Sequence, residues 1–184
     1  MQRDPFLTAR ILEIANLEES ENFDLHLLPG PSAFSGARRL VVIVHPGDAL
    51  DEPGIDDCLE SMTAELRERI VCEDDILVVH RFSTSYILGF EDARHAEREW
   101  FDTIRDLPAR TVHIYGDQLD QVIAHISGLA QGNEHADLLV TGLWGDKDHG
   151  CAAEVSRGLR ELGLPAELSK HSPKAEMRMM DEPD

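Results

Sequence analysis

The stretch that decides the fold runs from Leu138 to Cys151 and reads LLVTGLWGDKDHGC. Its apolar start, Leu138-Leu139-Val140, passes through Thr141-Gly142 into a polar loop. That loop carries Asp146, Lys147, Asp148 and His149, and a helical pattern begins at Gly150-Cys151. A strand, a glycine-punctuated loop and a helix N-terminus in this order mark the place where α/β proteins concentrate their chemistry.

Downstream, Ala152, Val155, Leu159 and Leu162 recur at helical spacing, and Gly163 followed by Pro165 reads as a left-handed cap and a stop. Ala166-Glu167-Leu168 reads as a last, edge strand. From Ser172 to Asp184 the sequence has no periodicity and is expected to be a disordered tail.

Upstream, the same alternation repeats. Leu40–Val44 is continuously apolar, as in a strand buried on both faces, and leaves through His45-Pro46-Gly47-Asp48. Ile55, Leu59, Met62, Leu66 and Ile70 mark a helix with Asp56 and Asp57 in its first turn, favourable to the helix dipole. Ile76–Val79 is a second strand leaving at His80-Arg81, and Ser83–Gly89 reads equally as a short strand or a buried loop. Ala93, Ala96, Trp100, Ile104 and Leu107 give a helix stopped by Pro108. Val112–Tyr115 is a third strand with exit Gly116-Asp117, and Leu119, Val122, Ile123, Ile126 and Leu129 a further helix. Strands and helices alternating with short connections predict a Rossmann-like, three-layer α/β/α sandwich with a mainly parallel sheet of about five strands.

Residues 1–39 stand apart. Asp4-Pro5 starts a helix over 5–17, and Phe23, Leu25 and Leu27 alternate with polar residues as in a strand exposed on one face. The expected organisation is a helix/strand appendage over 1–39, an α/β domain over 40–171 and the tail over 172–184.

The composition excludes several classes. No apolar run is long enough for a transmembrane helix, and the N-terminus lacks a basic region followed by an apolar one. Cys58, Cys72 and Cys151 are odd in number and widely spaced, which fits a reducing cytoplasm and no zinc pair. The formal net charge of −19 repels nucleic acid and anionic membranes. Lysine is scarce: Lys147, Lys170 and Lys174 stand against fourteen arginines. An acidic, lysine-poor surface fits adaptation to high salt, and a GC-rich coding sequence gives the same arginine bias.

In a parallel sheet the C-terminal strand ends share one edge. Here that edge would collect His45 and Asp48, His80 and Arg81, Asp117, then Asp146, Asp148 and His149, with Lys170-His171 beyond the last strand. His45, Asp48, His80 and His149 form a candidate set for a divalent metal, and such residues also serve as general acid and base. With nine histidines and 36 acids in the chain, polar strand exits also arise from composition alone. Cys151 at a helix start is a candidate nucleophile, with His149 and Asp146 close enough in sequence to activate it. Its alternative role is core packing, because Cys151, Val155 and Leu159 lie on one helical stripe. Gly142, Gly145 and Gly150 match neither GxGxxG nor a Walker A loop, and Asp146 and Asp148 would repel a phosphate there.

The segment Leu138–Gly163, LLVTGLWGDKDHGCAAEVSRGLRELG, resembles the terminal segment of isochorismatase-like cysteine hydrolases. In that family an apolar strand ends in Gly, a short loop leads to the nucleophilic Cys, and the following helix ends in Gly. The resemblance implies a nucleophilic role for Cys151. It is local: where the family has a catalytic Asp after its first strand this chain has His45, with Asp48 further on, and Gly116-Asp117 stands where the family has a catalytic Lys.

Two functional expectations follow. The first, which the incomplete catalytic set favours, is a non-catalytic cytoplasmic protein that assembles with itself or binds a partner or small molecule. The second is a small hydrolase at the C-terminal sheet edge, using Cys151 as nucleophile or histidines and acids around a divalent metal.

Overall fold

The structure, a computed structural model, describes residues 26–28, 36–44, 55–81, 100–115, 118–131, 137–142 and 150–172. The strands are β1 (His26–Leu28), β2 (Arg39–Val44), β3 (Ile76–Arg81), β4 (Arg110–Tyr115), β5 (Asp137–Gly142) and β6 (Ala166–Leu168). The helices are α1 (Ile55–Arg69), α2 (Leu119–Gln131) and α3 (Cys151–Glu161), and residues 100–104 are also helical.

The five strands β2 to β6 run parallel, in the spatial order β4-β3-β2-β5-β6. This is the Rossmann-like α/β sheet that the alternation of apolar runs and helical stripes predicts. β1 extends it on the β4 side as an antiparallel edge, with His26 opposite Tyr115 and Leu28 opposite His113. The 1–39 region therefore supplies an edge strand to the sheet itself. Its expected helix over 5–17, the Ser83–Gly89 segment and the tail from 173 onward lie outside the described residues.

The continuous apolar runs have a simple cause. Side chains alternate between the two faces of a strand, and here both faces are covered. Leu40, Val42, Val44, Ile76, Val78, Val112, Ile114, Leu138 and Val140 enter one core with Val122 and Ile126 of α2 and Val155 and Leu159 of α3. Val41, Ile43, Leu77, Val79 and Leu139 enter the other with Met62 and Leu66 of α1 and with Trp100 and Ile104. Each such aliphatic side chain contributes roughly 1.5–3 kcal/mol by leaving water.

Polar bonds fix the layers. Thr63 donates its hydroxyl to the Leu59 carbonyl at 2.7 Å and accepts the Trp100 indole N–H at 3.1 Å, pinning residues 100–104 to α1. Asp75, fully buried before β3, accepts the amides of Val71 at 2.8 Å and Cys72 at 3.1 Å through Oδ2, closing the turn from α1 into β3. At the end of α3, Gly163 takes φ +85°. Its amide donates to the Arg160 carbonyl at 2.9 Å, and that of Leu164 to the Leu159 carbonyl at 3.0 Å. This double closure is the left-handed cap expected from Gly163-Leu164-Pro165.

Candidate functional site

From β2 the chain winds outward to β3 and β4, whereas β5 and β6 are added on the opposite side of β2. The winding direction reverses between β2 and β5, and in open α/β sheets ligands enter the crevice at the strand C-termini of such a reversal. Val44 and Gly142, paired in register, are the last residues of these two strands. Beyond them the chain leaves towards His45 and towards Leu143.

Gly142 takes φ +125°, and a Cβ on it would stand 2.6 Å from the Val44 amide nitrogen and also against the Val44 carbonyl oxygen. Both the backbone angle and the close approach exclude a side chain there. The end of β5 therefore accepts only glycine beside Val44.

His80 lies one strand away, opposite Val44 and Ile114 in the ladder, and is fully buried. By the two-residue alternation it shares the face of Ile76 and Val78, the α2/α3 side of the sheet. Cys151 opens α3 on the same side. The structure thus places these two candidates on one face of one sheet edge.

The thiol is only partly exposed and packs against the cluster that contains Val155 and Leu159. The helical stripe expected from the sequence is realised. Gly150, at φ +107°, precedes the helix, its carbonyl accepting the Glu154 amide at 2.9 Å. The other cysteines are partly buried and form no disulfide, and Cys72 accepts a hydrogen bond at Sγ from Arg38 Nη1 at 3.5 Å.

His45, Asp48, Asp117, Asp146 and His149 lie outside the described residues, and for Arg81 only the backbone is described. Among the described residues, no three His, Cys, Asp or Glu side chains converge in a way that would hold a metal ion.

The edge also carries buried hydroxyls that the sequence did not single out. Thr141 and Ser172, both buried, place their hydroxyl oxygens 3.3 Å apart. Ser169 donates its hydroxyl to Glu65 of α1 and accepts the His171 amide at 3.1 Å. These bonds tie the segment after β6 to β5 and α1, so the aperiodic tail starts from a buried residue. Serines spaced as Ser169 and Ser172 carry no periodic signal, and only the fold gives them partners.

A cavity of about 220 Å³ lies at the opposite edge, where the strands begin. Arg39 at the start of β2, Arg69 at the end of α1, Asp137 and Glu167 line it, with Val41, Leu139 and Pro165 as apolar lining. The Arg39 guanidinium donates to the Arg69 carbonyl and has Nε 3.7 Å from Asp137. Arg69 Nη2 reaches both carboxylate oxygens of Glu167 at 3.0 Å.

No protein-family model, no curated protein and no solved structure matches this chain. No helix among the described residues is long and apolar enough to cross a membrane.

Proposed function

We propose that the chain is a non-catalytic cytoplasmic α/β protein that acts by binding, either to copies of itself or to a protein partner, with its acidic surface adapted to high salt. The supporting observation is the setting of Cys151. A nucleophile must present its sulfur to substrate, whereas Cys151 packs against the core beside Val155 and Leu159. The charge of −19 turns away nucleic acid and anionic membranes and leaves neutral or basic protein surfaces as partners.

Peptide-resolved alkylation at neutral pH tests this reading. Cys151 is expected to react more slowly in the native protein than in the urea-unfolded chain. A faster native rate would overturn the non-catalytic role. Light scattering then distinguishes self-assembly, with a mass above the 20.6 kDa monomer, from binding to a different partner.

A second reading, a small hydrolase, is favoured by His80, an imidazole fully buried at the end of a central strand on the same sheet face as Cys151. In that reading His149 and Asp146 activate Cys151, or His45, Asp48, His80 and His149 hold a divalent cation. Zinc or manganese raising the melting temperature, with metal retained through gel filtration, would support the metal form. No retained metal and no thermal response would eliminate it.

A further inference from the structure

The cavity at the strand N-termini joins two guanidinium groups and the two acids that partner them, Asp137 and Glu167, to an apolar wall. Arg39 and Arg69 meet there because β2 begins beside the last turn of α1, and Val41, Leu139 and Pro165 supply the wall. Among the described residues, Arg39 Nη2 and Arg69 Nε and Nη1 donate no hydrogen bond. The acids that partner the two arginines face water: the Asp137 side chain is 77% exposed and that of Glu167 56%. At 3.7 Å, Arg39 and Asp137 are also too far apart for a charge-assisted hydrogen bond, which closes to about 2.7–2.9 Å.

We propose that this cavity binds a small amphipathic carboxylate. Its acid group would take the unused donors of Arg39 and Arg69, displacing Asp137 into solvent, and its apolar body would lie on Val41, Leu139 and Pro165. The planar guanidinium fork suits a carboxylate in a way that a lone ammonium does not. A volume of about 220 Å³ suits a ligand the size of one substituted ring. The overall charge of −19 slows the approach of an anion, but at physiological salt that field is screened beyond about 8 Å while direct guanidinium contacts survive. The site is at the opposite sheet edge from the crevice, so it stands or falls independently of the proposed function.

The experiment titrates the full chain with sodium benzoate at constant ionic strength and follows backbone amide shifts by NMR. Sodium chloride and benzylamine hydrochloride serve as comparisons. Saturable shifts at Arg39, Asp137 and Leu139 with benzoate alone are expected. Arg39→Gln is expected to weaken binding about tenfold, the loss of one charge-assisted hydrogen bond. Asp137→Asn removes the competing acid and is expected to tighten binding, a gain that misfolding cannot produce. Equal shifts with benzylamine or chloride, no saturation, unchanged affinity in Arg39→Gln, or weaker binding in Asp137→Asn would each overturn the proposal.

Discussion

Gly142 ends β5 pressed against Val44, so that a Cβ at position 142 would sit 2.6 Å from the Val44 amide nitrogen. The contact lies between the two strands where the sheet reverses its winding, and it requires both a positive φ and the absence of a side chain. Gly142→Ala is therefore expected to cost more than about 2 kcal/mol in urea unfolding, because backbone strain and steric overlap add. Gly163→Ala isolates the first of these. Its φ is also positive, but its Cβ would meet open space, and about 1–2 kcal/mol is expected. Equal costs at the two positions would show that the Val44 contact contributes nothing.

The α2–α3 interface offers a compensating pair. Gly158 lies within α3, and a Cβ there would come 2.6 Å from Ile123 Cδ1. Alanine is favoured over glycine in a helix by about 1 kcal/mol, a gain that the clash opposes. Gly158→Ala alone is expected to change stability little, and Gly158→Ala with Ile123→Val to exceed it by removing the colliding methyl. Denaturant midpoints of the two variants check this, and a double variant weaker than the single one contradicts it.

Acid should remove one contribution selectively. Hydrogen bonds from the Arg67 guanidinium, with Nη2 and Nη1 at 2.8 and 3.0 Å from the two oxygens, hold the Asp106 carboxyl below its ordinary range. A group whose pKa is lowered by folding stabilises above its unfolded pKa, about 4 for aspartate. That stabilisation is lost as pH falls through the lower, folded value. The wild-type advantage over Asp106→Asn should thus be present at neutral pH, shrink through the acid range, and fall with added salt because the pair is exposed. An advantage that grows on acidification would contradict the assignment.

Salt should act on the whole molecule. With 36 acids against 17 basic side chains, self-repulsion opposes the compact state, and counter-ions shorten its reach from about 10 Å at 0.1 M to about 3 Å at 1 M. The melting temperature is expected to rise from low salt to molar KCl. A flat or falling profile would leave arginine-rich codon usage as the better account of the composition.

The alternation of apolar runs and helical stripes, the cap at Gly163 and the acidic surface were legible in the linear sequence. Each arises from residues within a few positions of one another: Val42 and Val44 share a face because a strand repeats every two residues, and Val155 and Leu159 because a helix turns about every 3.6. Composition alone determined the charge. Strand order is different, because it depends on pairings between distant segments, and no local pattern says that His26–Leu28 joins the edge beyond β4 or that β5 lies beside β2. Only the tertiary structure set Gly142 against Val44 and put His80 and Cys151 on one face of one edge. The same holds for Arg39 and Arg69, thirty positions apart, which meet because a parallel crossover returns the end of its helix to the edge where the strands begin.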